Sequence, residues 1–237
     1  MYSIIRTDKL MNMKNNLILV LIFLLPFLTV QASETRDFTL SKIQVAPIKD
    51  TQGDRQYELY IKLPEEYAKN KDKVYPVIYF TDAIWHIELL SSATEFLMEE
   101  AILVGISWQK DVNEDLMKEY GAHVSRYRDY SMRKSSNPEN QAKHQLGQAS
   151  NHLKFISNDV IKTIEKNYRT DPDRRTYFGY SAGGEFGAYI LMAQPDTFKN
   201  YILGSPALKG DIPFLTKLGS NAALKSKGLN ANVYISY

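Results

Sequence analysis

The segment Gly179-Tyr180-Ser181-Ala182-Gly183-Gly184 sets one hydroxyl between glycines two positions before it and two after it. The pattern G-x-S-x-G lets a strand turn straight into a helix with the serine at the apex. The small flanks let strand and helix approach without clashing, and the turn lifts the hydroxyl above the sheet edge. The first helical N–H, here that of Ala182, then points at a developing oxyanion. The chemistry implied is nucleophilic acyl transfer, with Ser181 attacking a carbonyl carbon. The neighbouring sequence supplies the required context: a short strand at residues 176–178 and a helix at residues 184–193, ended by Pro195.

The elements that must hold this turn follow from hydrophobic pattern. Residues 38–45 and 57–63 read as strands joined through the turn-rich Asp50-Thr51-Gln52-Gly53-Asp54, a hairpin that begins the sheet. Short apolar runs at 76–80 and 101–107 read as strands buried on both faces. Residues 88–100 read as a helix. Leu153, Ile156, Val160, Ile161, Ile164 and Tyr168 share one face of a helix over residues 151–168. Strands at 201–204 and 232–237, with a helix between them, close the list. Strands alternating with helices predict an α/β fold with a mostly parallel sheet covered on both faces. Residues 108–147 are polar and irregular, as expected of a long surface insertion.

Composition excludes several classes. The 237 residues are 44% hydrophobic and 24% charged, with a net charge of +2 and no basic block. Disorder and nucleic-acid binding through a charged stripe are therefore not expected. There is no Cys, which removes disulfides, thiolate nucleophiles and Cys-ligated zinc. No two of the four His have the spacing of a metal pair, so no metal is expected, and acyl transfer by a serine needs no cofactor. The N-terminus reads as a secretory signal peptide: Lys14, an apolar run from Leu17 to Leu28, then Val30-Gln31-Ala32. Cleavage after Ala32 would leave a single domain at residues 33–237, in a bacterial periplasm or outside the cell, with no stable membrane association. The alternative is an uncleaved anchor, though the run is shorter than the roughly 20 residues that span a bilayer.

Over residues 55–237 the sequence resembles the esterase family of α/β-hydrolases that includes esterase D-like and periplasmic siderophore esterases. The landmarks occur in order: Leu63-Pro64-Glu65-Glu66-Tyr67, Tyr75 to Asp82, Ile102 to Ile106, Arg126-Tyr127-Arg128-Asp129-Tyr130, Tyr168-Arg169-Thr170-Asp171, the Ser181 turn, Pro195-Asp196-Thr197-Phe198, and Gly204-Ser205-Pro206. The resemblance implies an α/β-hydrolase fold and a small-molecule ester substrate. It also implies a second oxyanion donor, the N–H of Ala83, which here follows Asp82 where the family often has glycine. Asp82, Trp85 and Arg126 are the candidate substrate-binding residues. For Arg128 and Asp129 an internal ion pair that pins the loop is the expectation.

In that family the triad acid and histidine follow the serine along the chain. Here His86, His123, His144 and His152 all precede Ser181. Residues 232–237 read as the strand before the acid loop, so the expectation is a chain without the last strand and helix, and without the triad acid and His. Asp196 and Asp211 stand before that strand and are not expected to serve as the acid. Two functional readings result. One is an exported serine carboxylic ester hydrolase working through an acyl-enzyme on Ser181. The other is an inactive truncated remnant or a binding module that keeps the turn but lacks the relay.

Overall fold

The computed structural model describes residues 42–97, 100–223 and 230–237. The signal segment expected at residues 1–32 lies outside them. Strands β1 (Ile43–Asp50), β2 (Arg55–Lys62), β3 (Tyr75–Phe80), β4 (Ile102–Ile106), β5 (Thr170–Tyr180), β6 (Asn200–Gly204) and β7 (Asn232–Ser236) form one sheet. Its order is β1-β2-β4-β3-β5-β6-β7. The β1/β2 and β2/β4 pairs are antiparallel. The pairs β4/β3, β3/β5, β5/β6 and β6/β7 are parallel. The expected mostly parallel sheet with an N-terminal hairpin is what forms.

Alternation along the central strands divides two cores. Val77, Tyr79, Ile102 and Val104 face a layer that includes Phe155, Ile156, Val160, Ile164, Phe186 and Ile190. Ile78, Phe80 and Leu103 face the other way, onto Ala83 and Ile87 of helix α1 (Ala83–Leu97). One-residue alternation sends neighbours to opposite faces, so two helical layers can cover one sheet.

Several boundaries differ from the sequence reading, each for a physical reason. β1 runs on through Pro47 to Asp50. A proline ends most strand patterns, but β1 is an edge strand in this sheet and can spare an N–H. β5 is eleven residues long, starts at Thr170 and carries Pro172. An irregular register between Tyr75 and Val77 accommodates that start. Helix α1 begins at Ala83, five residues before the expected start. Residues 149–167 form helices α5 (Ala149–Phe155) and α6 (Ile161–Asn167), joined by one π-turn at Ile156–Val160.

The insertion at residues 108–147 is not irregular throughout. It contains helices α2 (Glu114–Tyr120), α3 (Ser125–Tyr130) and α4 (Pro138–His144). Each is six or seven residues long, too short to show a 3.6-residue period. Local caps fix two of them. Asn113 Oδ1 accepts from the N–H groups of Asp115 and Leu116, and Asn137 Oδ1 accepts from Asn140. Helices α7 (Ala182–Ala193) and α8 (Ile212–Ala223) follow β5 and β6.

Candidate active site

The parallel strands bring the chemistry to one edge. Phe80 of β3 lies opposite Phe178 of β5, so Asp82 and Tyr180 emerge at the same level. Ser181 follows β5 and is the residue before α7, with φ 53° and ψ −116°. A left-handed φ is costly for a non-glycine residue and is retained where the surroundings enforce it. Here they do: Ser181 N–H donates to Gly204 O at 2.8 Å, and Glu185 N–H donates to Ser181 O at 2.9 Å. A Cβ on Gly179 would lie 2.3 Å from Gly183 O, and one on Gly184 would lie 3.0 Å from Gly204 O. Gly179 is therefore required by close backbone approach, and Gly184 leaves room only for a tight contact. Ala182 and Ala83 are the first residues of α7 and α1, so neither N–H has an intrahelical acceptor.

Asp82 has φ 56° and is fully buried. Its Oδ1 accepts from Trp108 Nε1 at 2.7 Å, Arg126 Nε at 3.0 Å and the Tyr130 hydroxyl at 3.2 Å. Its Oδ2 accepts from Arg126 Nη2 at 2.9 Å. Burial pushes the Tyr130 hydroxyl well above its ordinary pKa, so it stays a donor. The carboxylate thus accepts four hydrogen bonds from protein groups. Asp82, one of the candidate substrate-binding residues, is therefore buried and engaged by Trp108, Arg126 and Tyr130. Arg126 is mostly buried by that pair, and its guanidinium stacks on Trp85 at 4.9 Å and Tyr130 at 5.6 Å. Trp85 is 49% exposed and also meets Trp108 at 4.7 Å between ring centres. Of the three candidates, Trp85 is the one that presents a large free surface.

Arg128 and Asp129 pair at 2.7 Å, and Tyr57 Oη donates to Asp129 at 3.0 Å. They pin α3 to β2, as expected. His152 is buried among Tyr57, Tyr130, Phe155 and Phe186, and burial lowers its pKa. His86 packs edge-on to Phe178 and Tyr180, and burial lowers its pKa too. His123 rests against Trp85 and Trp108, and His144 against Tyr120 and Tyr127. Among the described residues, none of these imidazoles is hydrogen-bonded to Ser181. No group of three or more His, Asp or Glu among the described residues is placed to hold a metal ion.

One feature escaped sequence reasoning. Glu185, one turn into α7, has its pKa raised to about 7. Burial is the main cause, followed by a hydrogen bond and like charge from Asp211. Arg133 of the insertion binds Asp211 at 2.6 Å and Gly210 O at 2.8 Å, and its charge partly offsets the rise. A cleft of about 320 Å³ lined by Lys62, Tyr75, Thr94 and Glu95 lies at the opposite sheet edge, where β3 begins, away from Ser181.

The family profile described as "Putative esterase" matches residues 51–226. The chain belongs to this family. The ferri-bacillibactin esterase BesA of Bacillus subtilis (strain 168) is 28% identical over 193 residues, covering 76% of this chain and 63% of that protein. The chain thus spans less than two thirds of that relative's length. The structure of a BES protein from Bacillus cereus superposes with TM-score 0.67 and 23% identity, covering 85% of this chain and 78% of the other. An IroE-like serine hydrolase from Shewanella oneidensis superposes with TM-score 0.66 and 23% identity, covering 81% and 60%. These likenesses give the α/β-hydrolase fold, in accord with the sheet order and the turn at Ser181. No helix among the described residues is long and apolar enough to cross a membrane.

Proposed function

We propose that this protein is an exported serine carboxylic ester hydrolase whose nucleophile is Ser181. The observation that carries the reading is the strained backbone of Ser181, at φ 53°, between a strand end and a helix start. In the proposed reaction Ser181 Oγ attacks the ester carbonyl carbon while a general base takes its proton, and on collapse of the tetrahedral intermediate the base returns that proton to the leaving oxygen and the alcohol departs. Water then attacks the acyl-enzyme and releases the acid. The Ala182 and Ala83 N–H groups receive the oxyanion. The half-exposed Trp85, braced from behind by the Arg126 guanidinium that pairs with Asp82, offers an aromatic wall to the substrate. A small-molecule ester is the substrate class. Ferri-bacillibactin, given by the name of the Bacillus subtilis relative, is the first siderophore ester to try. The bacterial periplasm or exterior is the proposed location, resting on the apolar run from Leu17 to Leu28; N-terminal sequencing of the native protein would then begin at Ser33.

A second reading, ester binding without turnover, is favoured by one observation: no described histidine is hydrogen-bonded to Ser181. Hydrolysis of p-nitrophenyl butyrate by the wild type and by Ser181→Ala separates the two. Turnover that the substitution abolishes supports the hydrolase. Saturable ester binding without turnover in either protein supports the binding module.

A further inference from the structure

Asp82 stands between the two halves of the oxyanion-binding backbone. On one side it directly precedes Ala83, and its own left-handed φ of 56° sets the direction in which α1 departs. On the other side its carboxylate lies against the serine turn. A methyl group built on Gly183 would sit 3.2 Å from Asp82 Oδ2 and 2.5 Å from Thr81 Oγ1. The Tyr177 hydroxyl donates to Gly183 O at 2.7 Å and meets Thr81 Oγ1 at 3.3 Å, closing the same contact from below. Three side chains outside the turn fix the carboxylate itself. Trp108 comes from the end of β4, and Arg126 and Tyr130 come from α3 of the insertion. Arg126 supplies two of the four hydrogen bonds and the compensating charge.

We propose that Arg126 and Asp82 are positioning residues for both oxyanion donors, through which the insertion at residues 108–147 holds the catalytic backbone in register. This rests on the serine hydrolase reading. A charged pair that is bidentate and enclosed has one geometry, so it transmits the placement of α3 to residues 81–83 and to Gly183. The insertion is thereby part of the machinery of the Ser181 turn, and a change in α3 acts on rate rather than on substrate affinity.

The test uses the full chain with Arg126→Gln and Arg126→Lys, assayed on neutral p-nitrophenyl acetate and on the anionic p-nitrophenyl hemisuccinate. Misplacing an oxyanion donor costs about 10²–10³-fold in kcat. The expected result for Arg126→Gln is a kcat loss of roughly 100-fold on both esters, with KM nearly unchanged, because a lost transition-state contact lowers kcat without raising KM. Arg126→Lys, which keeps charge but loses the bidentate fork, should fall between, and it serves if the Gln variant does not fold. A raised KM confined to the anionic ester, with kcat on the neutral ester intact, would overturn the proposal and make Arg126 a substrate ligand. Amide hydrogen exchange supplies a readout independent of turnover. Faster exchange in the variants at both Trp85 and Glu185, whose N–H groups donate to Asp82 O and Ser181 O and so close the first turns of α1 and α7, supports positioning, whereas faster exchange restricted to residues 125–130 overturns it. A wild type without turnover would count against the hydrolase reading, and the exchange data would still decide the positioning.

Discussion

Replacing Asp82 tests the central ion pair through stability alone. Asp82 is fully buried and the Arg126 side chain is 15% exposed, so solvent does little to compensate a broken pair. Three donors converge on Oδ1 and one on Oδ2. Asp82→Asn keeps an oxygen for the Oδ1 donors but turns an NH2 group towards Arg126 Nη2 and leaves the guanidinium uncompensated. Asp82→Ala orphans every donor. Breaking one side of a buried pair costs about 3–5 kcal/mol, so Asn should lie near 3 and Ala near or above 5 kcal/mol. At about 2–4 °C per kcal/mol for a domain of this size, the Asn variant should melt roughly 6–12 °C lower. Arg126→Met added to Asp82→Ala should restore part of the loss, since a buried pair replaced on both sides by apolar groups is often neutral. Urea unfolding followed by far-UV circular dichroism gives these values, together with that of Arg126→Met alone. A loss below about 1 kcal/mol for Asp82→Ala, or a double variant as unstable as the sum of the singles, would refute the reasoning.

Four further outcomes follow from the same structure. Gly179→Ala drives a methyl group to 2.3 Å from Gly183 O, so it should cost at least about 1–3 kcal/mol and abolish esterase activity, as urea midpoints and p-nitrophenyl butyrate turnover will show. Ser181→Gly removes the strain of a left-handed serine, worth about 1–3 kcal/mol less the entropy of glycine, about 0.5–1 kcal/mol; it should be inactive and more stable than Ser181→Ala in the same thermal melt. Glu185, with a folded pKa of about 7, lies above the ordinary carboxylate value near 4.3; the folded state therefore binds more protons in that window and stability falls as pH rises towards 7. Glu185→Gln should flatten that slope between pH 5 and 8 in urea midpoints. The buried Tyr79 hydroxyl has no hydrogen-bond partner among the described residues, so Tyr79→Phe should leave the melting temperature unchanged or raise it, because an unmet buried hydroxyl carries a penalty of about 1–3 kcal/mol.

The parts of this site that are local in the chain are the parts its sequence exposes. Gly179, Ser181 and Gly183 fall within five residues, and the chemistry of the turn follows from their spacing. The face carrying Leu153, Ile156, Val160, Ile161 and Ile164 likewise announces its helical layer, because 3.6-residue periodicity survives even across a π-turn. The Asp82 hub does not. Its partners lie 26, 44 and 48 residues away, and two of them sit on α3, a helix of six residues with no periodic pattern. The sequence marks Asp82 only as a residue next to the second oxyanion donor; its enclosure by Trp108, Arg126 and Tyr130 comes from distant elements. Glu185 was hidden for the same reason, since its raised pKa arises from burial and from Asp211, which another element contributes.

The most direct measurement is reaction of the folded 237-residue chain with a fluorophosphonate, followed by intact mass and peptide mapping. An activated serine displaces fluoride and keeps the phosphonate, so the account predicts one adduct per chain, on the peptide containing Ser181, and none in Ser181→Ala. A folded chain that gains no adduct, or gains one elsewhere, would contradict the claim that Ser181 is the nucleophile.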